Sequence, residues 1–96
     1  MEVILFTKTE PVCPYCQLAK QYLLQYAIPY KETIYNDMVS RNAMFDELGL
    51  TGSDRTVPQI FVVEPNGRQR WIGGYHALLM SDLAGRIAVG NFDEDF

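Results

Sequence analysis

Two cysteines stand three positions apart in Cys13-Pro14-Tyr15-Cys16, a short loop after the apolar run Val3-Ile4-Leu5-Phe6. This spacing suits dithiol redox chemistry. A thiol at the first turn of a helix faces unpaired N–H groups and the positive end of the helix dipole, and both favour the thiolate. The thiolate is the form that attacks disulfides, and such a position lowers a cysteine pKa from ~8.5 towards the ~3.5–7.5 range. Pro14 fits the first helical position, where its fixed φ is already helical and its missing N–H costs nothing. Cys16, one turn on, is placed to close a ring with Cys13 or to expel a partner from it. Half of a zinc site is the competing use of this spacing, and it needs two further ligands. The chain has only these two cysteines and one histidine, His76, so carboxylates would have to complete such a site. Two inert buried thiols are a poor match to a helix N-terminus that follows a strand. The spacing and its setting point to a redox dithiol.

A redox pair so placed needs a strand to deliver it and a helix to activate it. Val3 to Phe6 reads as a buried strand of the parallel kind. Thr7 to Val12 is a loop, with Pro11 discouraging helix before Cys13. From Pro14 to Ala27 the polar Gln17, Lys20, Gln21 and Gln25 share one face, and Leu18, Ala19, Tyr22, Leu23 and Tyr26 cover much of the rest. Pro29 stops this helix, and Tyr30 to Ile34, rich in β formers, is a second strand. Asp37 or Ser40 caps a second helix reaching about Leu48, which carries Met44, Phe45 and Leu48 inward. Pro58 to Val63 is a strong strand, Glu64-Pro65-Asn66-Gly67 a turn, and Arg68 to Ile72 its antiparallel partner. After Gly73-Gly74 a third helix is expected over about Tyr75 to Ala88. Its buried face holds Leu79, Leu83 and Ile87, and Asp82 and Arg86 make an outward pair. The order β-α-β-α-β-β-α predicts an α/β domain, a small four-stranded mixed sheet with helices on both faces. It also sets Cys13 at the carboxyl end of a strand, where open α/β sheets place their sites.

Composition narrows the classes. Ninety-six residues make one domain, 48% apolar and 21% charged, as in ordinary globular proteins. No apolar run approaches the ~18 residues of a membrane span. The N-terminal stretch lacks the basic flank and apolar core of a signal peptide, so the reducing cytoplasm is the expected location. The basic residues are scattered, which excludes a nucleic-acid footprint. The net charge is −4, and Asp93, Glu94 and Asp95 supply three of those negatives, leaving a nearly neutral body. Residues 1–90 form the expected domain and 91–96 an acidic-aromatic tail. That tail reads first as a frayed, solubilising end. Its two phenylalanines around three acids suggest a second role, docking to a client.

Three motifs in order resemble those of the dithiol glutaredoxins, within the thioredoxin-like fold: Cys13-Pro14-Tyr15-Cys16, Thr56-Val57-Pro58-Gln59-Ile60-Phe61, and Gly73-Gly74-Tyr75. The similarity covers roughly residues 2 to 88. It implies a glutathione-dependent thiol–disulfide oxidoreductase acting on protein disulfides and glutathione mixed disulfides. Cys13 and Cys16 are then catalytic, with no bound cofactor or metal and glutathione as the reducing co-substrate. The implied partners are glutathione and disulfide-containing client proteins, ribonucleotide reductase among them. A monomer is expected, acting without nucleic acid or membrane. By resemblance Pro58 follows a cis bond that lets Val57 offer its backbone to glutathione; from the sequence alone Val57-Pro58 is as readily the start of a strand. Gly73-Gly74 would bring bare backbone and a helix start to a carboxylate, or make a plain turn. Tyr15, Thr56 and Tyr75 belong to the implied binding site, and Arg55 is a candidate for a glutathione carboxylate.

The chain departs from the family in two places. The basic residue usual three positions before the first cysteine is replaced by Glu10, and Lys8 lies two residues further back, so Thr9 to Val12 reads as an expanded loop. The acid that usually follows the glycine pair is also absent, the run being Tyr75-His76-Ala77, with His76 read as a surface residue. Two alternative functions remain. One is a thioredoxin-like redoxin recharged by a flavin reductase. The other is a glutathione-ligated iron–sulfur cluster carrier, which the stiff Pro14 disfavours.

Overall fold

Val3, Leu5 and Thr7 are buried, whereas Glu2, Ile4 and Phe6 between them are half-buried. This is the two-residue alternation of a strand, β1 (Glu2–Thr7), in the computed structural model, which describes residues 2–81. β1 is an inner strand of a four-stranded sheet. It pairs in parallel with β2 (Tyr30–Ile34) and antiparallel with β3 (Gln59–Val63), and β4 (Gln69–Gly73) completes the order β2-β1-β3-β4. Leu5 faces Ile60 and Val3 faces Val62 across the β1–β3 ladder, so four branched side chains line one face. Ile4 and Phe6 point to the other face with Phe61, whose ring lies 5.6 Å from that of Phe6.

Helix α1 (Pro14–Gln25) lays Cys16, Ala19 and Leu23 on the first face, and Leu78 joins them in the core. Burying a leucine such as Leu23 or Leu78 contributes about 1.5–3 kcal/mol. The expected apolar cover was broader: Leu18 and Tyr26 lie at its margin, 38% and 37% exposed. The helix ends with Ala27 at φ 55° and the Ile28 N–H donating to the Leu23 carbonyl, after which Pro29 cannot continue it. Helix α2 (Met38–Glu47) starts at Asp37, whose carboxylate accepts from the Ser40 N–H at 3.0 Å. Asp37 is thus the cap, and Met44 and Phe45 are buried with Leu48 half-buried. A single 3₁₀ turn, Gly52–Asp54, interrupts the following loop.

β3 begins at Gln59 and β4 runs one residue further than expected, through Gly73. The third helix, α3 (Tyr75–Met80), needs a larger correction. Ser81 is already extended, so the described helix stops well short of Ala88. Its phase also differs, because Gly74 is its N-cap and Leu78 faces the sheet. Leu79, one position on, turns outward and is 45% exposed. Leu83, Ile87, the Asp82–Arg86 pair and the tail 91–96 lie outside the described residues. Among those described, no helix is long and apolar enough to cross a membrane.

Candidate active site

The site gathers where β1 ends. The loop leaving β1 is fastened by Asn36, from just beyond β2. Its Oδ1 accepts from the Thr9 N–H at 2.7 Å and the Glu10 N–H at 3.0 Å, and its Nδ2 donates to the Thr9 hydroxyl at 3.0 Å. The chain then reaches Cys13, which caps α1 through its own sulfur: Sγ accepts from the Cys16 N–H at 3.2 Å. A disulfide joins Cys13 to Cys16, with Cα atoms 5.2 Å apart. Both cysteines are buried, Cys13 at 5% exposure and Cys16 at 1%, and of the two only Cys13 lines either of the cavities that meet along Thr56 and Val57. An anion at this cap is stabilised by the N–H it accepts and by the helix dipole behind it.

Across the site, 44 residues away in the chain, the Val57 carbonyl oxygen sits 3.7 Å from Cys13 Sγ, and the Val57–Pro58 peptide is cis. The backbone before Val57 is held by Gln59, a buried polar side chain with every polar atom occupied. Its Nε2 donates to the carbonyls of Asp54 (3.0 Å) and Thr56 (2.7 Å), and its Oε1 accepts from the Trp71 indole N–H at 2.8 Å. Gln59 thus ties the Thr56-Val57 segment to β4. The Gly73-Gly74 pair divides its work. Gly73 has φ 116°, which L side chains rarely adopt, and an added Cβ would come 3.2 Å from that of Ala77. Gly74 has an ordinary φ of −93°, and a Cβ there would meet only the Pro58 carbonyl, at 3.7 Å. Its role is to bring backbone and the start of α3 beside Pro58.

Two cavities meet along Thr56 and Val57. The first, about 350 Å³, holds Cys13 together with Lys8, Arg41 and Arg55. The second, about 270 Å³, is walled by Tyr15, Pro58, Gly74, Tyr75 and His76. Apart from Cys16, which is buried behind Cys13 and lines neither, the candidate site residues read from the sequence all line one of these two cavities, Lys8 included despite the longer loop. Arg55 arrives partly engaged: its Nε donates to the Leu50 carbonyl at 2.8 Å, its Nη2 pairs with Asp46, and the guanidinium lies over the Phe45 ring. His76 is exposed, yet its ring centroid lies 5.4 Å from that of Tyr15 and 5.7 Å from that of Tyr75. It belongs to the cavity wall. Sequence reasoning missed Arg41, Asn36 and the function of Gln59, whose partners are remote or are backbone atoms. The one available signal was Gln59 itself, a polar residue at the head of an apolar strand.

Behind the site lies a polar cluster. Thr7, fully buried, donates its hydroxyl to Glu32 at 2.6 Å, and Lys20 pairs with the same carboxylate at 3.0 Å. Partial burial pushes the Glu32 carboxyl up, but these two partners more than reverse that and hold it below the ordinary glutamate range.

The glutaredoxin family model matches residues 3–65, which takes in both cysteines and the Thr56-Val57-Pro58 motif; Gly73-Gly74 falls beyond the matched segment. Mouse mitochondrial glutaredoxin-2 is 38% identical over 72 residues, which are 75% of this chain and 42% of that protein. The chain thus spans about two fifths of that relative's length. Glutaredoxin 1 from Francisella tularensis, solved with cacodylate, superposes with a TM-score of 0.64 at 32% identity, covering 82% of this chain and 88% of its own. A buckwheat glutaredoxin–glutathione complex gives a TM-score of 0.63 at 23% identity, covering 90% and 72%. A Cys-x-x-Cys pair capping the first helix of this α/β architecture, with a matching family model over most of the chain, places the protein in the glutaredoxin family of thiol–disulfide oxidoreductases, within the thioredoxin-like superfamily.

Proposed function

We propose that the protein reduces disulfides at the expense of glutathione, using Cys13 as nucleophile and Cys16 as resolving thiol. The observation that carries this is the asymmetry of the pair: Cys13 caps α1 and lines the first cavity, whereas Cys16 lines neither cavity and is buried behind Cys13. The Cys13 thiolate attacks a disulfide R–S–S–R′, forms Cys13–S–S–R and releases R′S⁻. The Cys16 thiolate then attacks Cys13 Sγ, closing the Cys13–Cys16 bond and releasing RS⁻. Two glutathione molecules restore the dithiol and leave as glutathione disulfide. On a glutathione mixed disulfide, a second glutathione can regenerate Cys13 directly.

In this reading Val57 pairs its backbone with the substrate and aims its sulfur at Cys13. Lys8 serves a glutathione carboxylate, with Arg55 assisting through the part of its guanidinium not engaged by Asp46 and Leu50. The backbone of Gly74 and the start of α3 receive the other end, with Tyr15, Thr56 and Tyr75 as walls. The buckwheat fold relative is itself a glutathione complex, which supports glutathione as the co-substrate. Ribonucleotide reductase is one client this chemistry suits, and the reducing cytoplasm one compartment.

The test couples the purified protein to NADPH through glutathione plus glutathione reductase, or through thioredoxin reductase. Turnover with the first and none with the second is expected. Cys13→Ser abolishes activity on every substrate, and Cys16→Ser retains reduction of glutathione mixed disulfides while losing most protein-disulfide reduction. Equal loss from both substitutions on a glutathionylated substrate refutes the assignment of roles.

A further inference from the structure

The two cavities that meet at Val57 differ sharply in charge. Among the described residues, the first is lined by three cations, Lys8, Arg41 and Arg55, and by no acid. The second, on the other side of Val57, has no Asp, Glu, Lys or Arg among its described lining residues and is walled by the Tyr15, Tyr75 and His76 rings.

Among the described residues, Arg55 alone of the three cations has a carboxylate partner, Asp46. Lys8 makes no ion pair among the described residues. Arg41 is held by the backbone instead: its Nη1 donates to the carbonyls of Tyr35 at 2.9 Å and Asn36 at 3.0 Å. Asp37 feels Arg41 only through space, because its own carboxylate is bonded to the Ser40 N–H and hydroxyl. Arg41 is thus a guanidinium fixed in place with no carboxylate in contact with it among the described residues. Such a group is pre-organised for an incoming carboxylate, which it can meet in a charge-assisted bond.

We infer that this groove selects client polypeptides carrying an acidic residue next to the reactive cysteine, held by Lys8 and Arg41, with uncharged residues against the aromatic wall. The inference rests on the disulfide-reductase reading and names its substrate class. A polypeptide fits the second cavity for a reason of charge: the described residues of that wall include no acid to receive an ammonium group, and a chain continuing as peptide brings none. The reaction is unchanged, with one client disulfide bond broken, two thiols formed and the electrons drawn from glutathione.

The test is a competition between two capped peptides, each with one cysteine as its mixed disulfide with 2-mercaptoethanol. They differ only in that aspartate flanks the cysteine in one and lysine in the other. The ratio of their kcat/KM values is read by mass spectrometry and divided by the ratio for dithiothreitol alone, which removes intrinsic thiol reactivity. A corrected preference for the aspartate peptide of about tenfold is expected at low salt, shrinking as ionic strength rises. Arg41→Gln lowers it about threefold or more. Lys8→Gln, which breaks no hydrogen bond, does the same and covers the case in which Arg41→Gln perturbs folding. Reading a ratio within each variant cancels any general loss of activity. A corrected ratio of about one in the wild type, or one that neither variant changes, overturns the inference. Hydroxyethyl disulfide, which is uncharged, runs alongside: no turnover of it with glutathione refutes the reductase reading, and this inference with it.

Discussion

Replacing Gln59 by leucine tests whether one buried amide holds the substrate-facing backbone in place. The change removes three hydrogen bonds, of 2.7, 2.8 and 3.0 Å, from a side chain that is 1% exposed. Each such bond contributes about 0.5–1.5 kcal/mol net, so the gross loss is roughly 1.5–4.5 kcal/mol. Two effects offset part of it. Leucine buries more apolar surface, and Asp54, Thr56 and Trp71 are exposed enough for water to take over some of the vacated bonds. A net loss of about 2 kcal/mol follows. In urea, with the disulfide intact, that moves the midpoint down by about 1–2 M. Trp71→Phe removes only the indole bond and costs about 1 kcal/mol, and the double variant shows a coupling of similar size. The kinetic signature is a KM for the disulfide substrate that rises more than kcat falls, because the Thr56-Val57 segment loses its tether while Cys13 keeps its cap. A Gln59→Leu protein within 0.5 kcal/mol of wild type, with unchanged KM, refutes the tethering role.

Three further outcomes are expected. Gly73→Ala forces an L side chain to φ 116° against Ala77 and lowers stability by about 1–3 kcal/mol, whereas Gly74→Ala leaves thermal unfolding nearly unchanged; equal effects would refute the division between them. Asn36→Ala frees the amides of Thr9 and Glu10, which should lose hydrogen-exchange protection with only about 1 kcal/mol of destabilisation, since the bonds are exposed. Glu32 has a depressed folded pKa, so its stabilisation is complete above the unfolded value of about 4.3 and is lost as pH falls through the lower folded value. Glu32→Gln should therefore be less stable than wild type at neutral pH, with the gap closing towards pH 3; parallel urea midpoints across that range would refute it.

The parts of this site that sequence made legible are those encoded within a turn or a strand. Cys13, Pro14 and Cys16 define a helix start by themselves, and Gln59-Ile60-Phe61-Val62-Val63 reads as a strand without reference to anything else. The Asn36 brace, the Arg41 anchor and the Gln59 tether were not legible, because each joins a side chain to backbone atoms of another segment, and backbone atoms leave no trace in residue type. α3 shows a subtler loss. Its apolar residues Leu78, Leu79 and Met80 are consecutive, so periodicity could not set the phase, and the Gly74 cap chose Leu78 as the buried one. In the sequence His76 reads as a surface residue at a helix start, and being exposed does not exclude a place among rings.

The cysteines lie three residues apart, whereas Cys13 and Val57 are separated by 44. One half of the site is local and the other depends on the β1–β3 ladder. Loss of tertiary structure would therefore divide the two. An unfolded chain still carries both thiols and can still exchange disulfides, but it has no cavity, no oriented backbone and no helix cap to choose a partner. A destabilised variant would fail in an unusual way for an enzyme. It would not fall silent but become an indiscriminate thiol, forming mixed disulfides with whatever it met, so that a cell would bear the cost of its misfolding as unwanted cross-links and not only as missing activity.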